Sequence, residues 1–244
     1  MKQVAFFDVD GTIYRDSLLI EIFKKFTKYG ILSEEMWVTK VKPAFDRWDN
    51  RKGSYETYLN DLAEMYQENI KGTDKHIIDY ISNQIIKEKA DRVYRYTRDR
   101  IKWHKDQGHL VIAISGSPHI LVEKFARHLE FDDYIGTKYH YDSDDHFNGE
   151  IEPMWDRDNK QKSINYFKEK YDLDLSNSYA YGDTTGDITM FELVGNPIAF
   201  NPNANLINYL NKNDELKNKI DMIVERKDVI YNIPTKLMQN KPQK

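Results

Sequence analysis

This sequence of 244 residues predicts an α/β fold: a parallel sheet with helices on both faces, and a separate block of helices inserted after the first strand. Three observations carry that expectation. Short continuous apolar runs recur along the chain, each closed by Gly, Pro, Asp or Asn, as strands buried on both faces require. Stretches of helical periodicity separate these runs, and strands alternating with helices form a parallel sheet. Residues 17–89, in contrast, hold helical stripes and no buried-strand run.

The elements follow in order. Val4 to Phe7 is the first strand and runs into Asp8-Val9-Asp10-Gly11-Thr12. Four stripes come next: Leu19, Ile22, Phe23, Phe26; Trp37, Val41, Phe45, Trp48; Tyr55, Leu59, Leu62, Tyr66; and Ile77, Ile78, Ile81, Ile85. Gly30 and Gly72 mark helix ends, and Pro43 kinks or breaks the second helix. Tyr94, Thr97, Ile101 and His104 repeat at helical spacing before the second strand, His109 to Ser115, which Gly116 and Pro118 close. Pro118 suits the first turn of a helix carrying Leu121, Phe125 and Leu129. Residues 134–152 read as a small β-hairpin around an Asp-rich turn. That turn lacks the Gly and the final Glu of a calcium loop and reads as solvated. Lys160 to Tyr171 is helical. Ser178 to Tyr181 and Pro197 to Phe200 are the third and fourth strands, and Asp221 to Val224 is a possible fifth. From Arg226 the chain is polar and is expected to be frayed or loosely docked.

Bulk properties exclude several function classes. A net charge of −4, from 36 basic and 40 acidic residues, offers no broad surface for nucleic acid. The absence of Cys excludes disulfides, thiolate catalysis and Cys-ligated zinc. Asp8 and Asp10 interrupt the first apolar run, so it is no signal-peptide core, and no stretch is long enough to span a bilayer. The expected setting is cytoplasmic.

The chemistry lies at the carboxyl ends of the expected strands, the edge at which open parallel sheets bind ligands. Asp8, Asp10, Ser115 and Asp183 arrive there from distant parts of the chain. An acidic cluster in one crevice needs a cation, and hard carboxylate oxygens favour Mg²⁺, which completes its shell with water and phosphate oxygens. Ser115 offers a hydroxyl, Gly116 a close backbone approach, and Lys160 a point charge for that phosphate. Asp8 then attacks phosphorus to form an aspartyl-phosphate. Asp10 protonates the leaving alkoxide and afterwards takes a proton from the hydrolytic water. The alternatives are plain ones: Asp10-Gly11 as a simple turn, Asp183 and Asp187 as helix N-caps, Lys160 as a surface lysine. His104, His109, His119 and His128 have no ligand spacing and read as surface or packing residues. Lys40, Lys42, Arg47, Arg51 and Lys52 read as a solvated helix face.

At this point the motifs resemble the haloacid dehalogenase (HAD) superfamily. Asp8-Val9-Asp10-Gly11-Thr12 is similar to its first motif, Ile114-Ser115-Gly116 to the second, Lys160 to the third, and Tyr181 through Asp187 to the fourth. The stretch from Ser178 to Asn201-Pro202 resembles subfamily IB, which includes phosphoserine phosphatases. The helical stretch 17–89 directly follows Asp8 and reads as a cap over a Rossmann-like core of residues 1–16 and 90–226, with helices that simply pack on the sheet as the alternative; residues 227–244 form a tail. The resemblance implies a Mg²⁺ site ligated by Asp8 and Asp183 through side chains and by Asp10 through its backbone carbonyl, with Asp187 in support. It further implies Ser115 and Lys160 on phosphate, Lys162 being the alternative to Lys160, and a small phosphorylated metabolite as substrate. Asp10 favours a phosphate ester, because halide needs no proton and family ATPases carry Thr there. Phosphoserine phosphatases place a Glu where this chain has Ser17, beside Asp16. The expectation is therefore a phosphatase for a small monoester. Phosphoserine phosphatase proper and a non-catalytic phosphate-binding domain stand as the rivals.

Overall fold

The computed structural model describes residues 1–235. Eight strands form one sheet: β1 Val4–Phe7, β2 Leu110–Pro118, β3 Asp133–Tyr141, β4 Phe147–Glu152, β5 Tyr179–Gly182, β6 Asn196–Phe200, β7 Asp221–Arg226 and β8 Val229–Ile233. Their order is β4-β3-β2-β1-β5-β6-β7-β8. The six central strands run parallel, and the two edge strands pair antiparallel. β1 lies at the centre, between β2 and β5, and so Asp8 leaves the sheet at its most enclosed point.

Period-2 alternation divides the core into two layers. Ala5 and Phe7 of β1 point to one face with Val111, Ala113 and Tyr181. Val4 and Phe6 point to the other with Ile112, Ile114 and Ala180. Helices α1 Leu18–Lys28, α2 Glu34–Met36, α3 Lys42–Asp49, α4 Tyr55–Asn69 and α5 Lys75–Lys89 fill the stretch between β1 and β2 and share the first layer with α6 Arg95–Asp106 and α7 His119–His128. The second layer is made by α8 Arg157–Tyr171, α9 Ile188–Leu193, α10 Ala204–Leu210 and α11 Asp214–Lys219.

Several expectations take a different form. The break expected at Pro43 is a π-helical turn, Trp37–Val41, running into α3 with Pro43 in its first turn, where its missing N–H is harmless. The hairpin over residues 134–152 does not stand apart: β3 also pairs parallel with β2 and extends the main sheet. Pro118 precedes α7 as its N-cap rather than opening its first turn. The third strand starts one residue later than expected, because the Ser178 hydroxyl accepts from Val4 N–H (3.0 Å) and donates to the Asp174 carbonyl (2.6 Å). The expected loose tail corrects most. Residues 229–233 form β8, paired with β7 from Met222–Ile233 to Arg226–Val229, and Ile230 packs on the core. Alternation was masked there by Asn232 and by the turn at Lys227, whose φ is +55°. The remainder of that tail, 236–244, lies outside the described residues.

Candidate active site

The residues singled out in the sequence converge at the carboxyl end of β1, β2 and β5. Asp8 follows β1 and is 7% exposed. Its N–H donates to the Tyr181 carbonyl at 2.9 Å, which ties the first and fourth motifs together through the backbone. Behind this junction the Phe7 and Tyr181 rings stack at 4.2 Å and 3°. Lys160, in the first turns of α8, reaches up from the second layer. Its Nζ donates to Asp8 Oδ1 at 2.8 Å and to Asp187 Oδ1 at 2.5 Å, and the residue is 2% exposed. Lys162 points elsewhere: it is exposed and donates to Asn159 Oδ1. Of the two lysines, only Lys160 is in the site.

Asp8, Asp183 and Asp187 each offer a carboxylate oxygen within 4.8 Å of the others. Burial sets their titration. It drives the Asp8 carboxyl up, to about 8, against the pull of Lys160 and with help from the charges of Asp187 and Asp10. Asp183 is raised well above the carboxylate range by burial and then by Asp8 and Asp187. Lys160 would be lowered by burial, but the carboxylates of Asp187 and Asp8 outweigh that and hold it above the ordinary lysine range. One ammonium thus faces several converging carboxylates. A donor set of hard oxygens with excess negative charge suits a divalent cation such as Mg²⁺.

Asp187 realises part of its plainer reading. Thr184 is the N-cap of the 3₁₀ turn Thr185–Asp187, and Asp187 is the acid of its capping box. Asp187 Oδ2 accepts from the N–H groups of Asp183 and Thr184, both at 3.0 Å, while Oδ1 takes Lys160. One carboxylate therefore shapes the loop and anchors the lysine. Asp183 caps nothing with its side chain; its Oδ1 accepts from the Thr12 hydroxyl at 3.1 Å. Gly11 makes this approach possible. Its φ is +83°, and a Cβ there would sit 2.3 Å from Asp183 Oδ2.

Asp10 faces a different set of partners. Oδ1 accepts from Leu18 N–H at 2.6 Å, at the start of α1, and Oδ2 accepts from Ser117 Oγ at 2.6 Å and Ser115 Oγ at 3.2 Å. Burial raises this carboxyl, while the donors from Ser117, Leu18 and Ser115 pull it back. Ser115 is fully buried and also accepts from Ser117 N–H at 3.1 Å. Gly116 lies against Trp155, whose Cβ would be 3.0 Å from a Cβ at 116. Ser17 is 2% exposed, and its hydroxyl N-caps α1 by accepting from Leu19 N–H. The neighbouring Asp16 accepts from Arg92 at 3.4 Å, as does Glu21.

Sequence reasoning missed three contributors. Ser117 bridges Asp10 and Leu19 N–H; a second Ser two residues after Ser115 was its only signal. Tyr55, in the first turn of α4, has its hydroxyl pushed up by burial and by the negative charges of Asp16 and Asp10, then by those of Tyr58 and Asp183. Glu56 beside it bonds across to Asn203 and Asn205.

A family model described as haloacid dehalogenase-like hydrolase matches residues 5–192. The inhibition of morphological differentiation protein of Streptomyces azureus is 25% identical over 207 residues, covering 84% of this chain and 74% of that one. A probable phosphatase of Mycobacterium tuberculosis is 25% identical over 215 residues, covering 84% and 71%. A phosphoserine phosphatase from the same organism is 30% identical over 118 residues, which is 48% of this chain but 38% of the relative. Among solved structures, a Bordetella pertussis protein of unknown function superposes with a TM-score of 0.71 at 18% identity, covering 88% of this chain and 96% of that one. A phosphoserine phosphatase solved as a phospho-aspartyl intermediate analogue superposes with a TM-score of 0.60 at 21% identity, covering 93% and 95%. At these identities the structural likeness carries the fold. No helix among the described residues is long and apolar enough to cross a membrane.

Proposed function

The chain belongs to the haloacid dehalogenase-like hydrolase family, and from that premise we propose that it is a Mg²⁺-dependent phosphatase hydrolysing a small phosphate monoester through an aspartyl-phosphate on Asp8. The observation that supports this best is the convergence of Asp8, Lys160, Asp183 and Asp187, from three segments of chain, at the end of the central strand.

In this reading Asp8 Oδ attacks phosphorus, and the phosphate ester bond breaks as the new acyl-phosphate bond forms. The leaving alkoxide takes its proton from the carboxyl of Asp10. Burial favours the protonated form of that carboxyl, and the Ser117 and Leu18 donors steady the carboxylate left behind. Asp10 then accepts a proton from the water that attacks the acyl-phosphate, releasing inorganic phosphate and returning Asp8. Lys160 offsets charge on the phosphoryl oxygens, and the Ser115 hydroxyl and Gly116 N–H bind them. Asp8 and Asp183, with Asp187 in support and the Asp10 carbonyl completing the set, would hold Mg²⁺, which when bound supplies charge stabilisation for the transferring group. Residues 17–89 act as a cap that excludes water and selects the leaving group, over a core of residues 1–16 and 90–226.

A phosphoserine substrate is favoured by the named mycobacterial relative. The local structure argues against it: Ser17 is consumed as a helix cap, and Asp16 is tied to Arg92. A panel of phosphate esters, read as phosphate release with Mg²⁺, decides both points. The wild type is expected to turn over small monoesters with O-phosphoserine among the poorer ones, and Asp8→Asn to lose at least about a thousandfold while keeping its fold. Retained activity in Asp8→Asn removes the nucleophile assignment, and a marked preference for O-phosphoserine restores the serine reading.

A further inference from the structure

We propose that Glu56 is a positioning residue that latches the helical insertion onto the start of α10 and, through Asn203, onto the peptide of Asp183. Both of its carboxylate oxygens are used. Oε1 accepts from Asn203 Nδ2 at 3.2 Å and Oε2 from Asn205 Nδ2 at 2.8 Å.

Asn203 is fixed on two further sides. Its N–H donates to the Asp183 carbonyl at 2.9 Å, and its Oδ1 accepts from Leu206 N–H at 2.8 Å as the N-cap of α10. The side-chain amide therefore cannot flip without losing the cap, and its Nδ2 is presented toward Glu56. A single residue links helix α10, the peptide of a candidate metal ligand, and the insertion.

The insertion is held unequally around its rim. It joins the core through two adjacent segments, pinned by Tyr94 N–H to the Ile13 carbonyl (2.9 Å) and Arg15 N–H to the Arg92 carbonyl (3.0 Å). Toward β4 it is tied by Gly72 N–H to the Phe147 carbonyl and by Phe147 N–H to the Thr73 carbonyl, at 2.9 and 3.0 Å. Toward β6 and beyond, the Glu56 pair supplies the only hydrogen bonds between residues 18–89 and the chain after Asp183, among the described residues. Opening on that side breaks these two hydrogen bonds.

What the latch positions is Tyr55. Its ring packs on Trp48 (5.0 Å) and Tyr58 (5.9 Å), and its hydroxyl lies in the field of Asp16, Asp10 and Asp183. With Glu56 docked, the first turn of α4 is held against Asn203, whose N–H bonds the Asp183 carbonyl. Released, that turn is free to swing with the aromatic cluster. The sign of the charge matters too, because hydrogen bonds to an ionised acceptor are about twice as strong as neutral ones.

Hydrogen–deuterium exchange on the full chain tests the latch directly. Glu56→Ala is expected to raise exchange in the first turns of α4 about tenfold, the loss of one charge-assisted pair at a half-exposed contact. Exchange in β5 and α8 should stay unchanged. Glu56→Gln, which keeps one acceptor, should fall between wild type and Ala. Adding Asn205→Ala to Glu56→Ala should change nothing more, since both act in one contact. The kinetic arm rests on the phosphatase reading above: with the best ester found for the wild type, KM should rise about tenfold while kcat stays within about threefold. Unchanged α4 exchange in Glu56→Ala overturns the latch, and so does loosening spread equally over the whole chain. If the wild type hydrolyses no ester, the phosphatase reading fails, while the exchange arm still decides the latch.

Discussion

Lys160 is the residue on which the charge balance of the site turns. Its ammonium is buried between Asp8 and Asp187, and both partners rely on it in the absence of a cation. Removing one member of a buried ion pair leaves the other uncompensated, at a cost of about 3–5 kcal/mol. Lys160→Met is therefore expected to lower unfolding stability by about that amount in urea titrations with chelator present. A change within about 0.5 kcal/mol, the range of an ordinary surface substitution, would show the lysine to be a surface group in solution. At this scale the sequence was informative where chemistry sits next to a strand end. Asp8, Asp10, Ser115 and Asp183 all follow an apolar run that makes its own buried strand, so topology alone brings them together. Lys160 was readable through the motif it resembles, and the structure separates it from Lys162 by burial. Ser117, Glu56 and Asn203 were not legible. Their roles depend on partners 98, 147 and 147 residues distant, and no local pattern encodes such a contact.

Helix α6 and strand β5 carry a buried polar chain of their own, on the face behind the site. His104 is fully buried; its Nε2 lies 2.8 Å from the Tyr181 hydroxyl and its Nδ1 lies 2.9 Å from His109 Nδ1. Arg100 Nε donates to the same Tyr181 hydroxyl at 3.0 Å. Neutral His104 fits this chain by donating from one ring nitrogen and accepting at the other. Burial, with Arg100 and His109 nearby, lowers it to about 3. An unfolded histidine titrates near 6.5. Between those values the unfolded chain binds a proton that the native chain refuses, so stability falls as pH drops from about 6.5 toward 3. Urea midpoints of the wild type and His104→Gln, compared at pH 6.5 and 4.5, should show a shallower loss in the variant. Equal losses would mean that His104 titrates normally. The sequence allowed His104 either a surface or a packing role, and the structure buries it. The elements themselves were legible wherever apolar runs were unbroken. The π-turn after Met36 and strand β8 were not, because the first depends on how Trp37 and Phe45 pack and the second on pairing with β7.

The molecule as a whole sets its central strand β1 directly before the helical insertion and ends that strand on Asp8, the carboxylate proposed to react. The order β2-β1-β5 sets the first motif between the second and the fourth. The register that pairs Phe7 with Ala113 and Tyr181 brings Asp8, Ser115 and Asp183 to within about one residue of a common level. The architecture was readable from the alternation of runs and stripes. How the insertion is fastened to the core was not, because it depends on contacts such as that of Glu56 with Asn203 after β6. The central claim is that Asp8 becomes phosphorylated and that Asp10 is needed to clear it. It is tested most directly by mixing Asp10→Asn protein, with and without Mg²⁺, with an ester that the wild type hydrolyses, quenching in acid, and mapping the peptides by mass spectrometry. The account predicts one added phosphoryl group on the peptide containing Asp8, present with Mg²⁺ and absent both without it and in the Asp8→Asn, Asp10→Asn double variant. A phosphoryl group on another residue, or wild-type turnover in Asp10→Asn with none trapped, would contradict it.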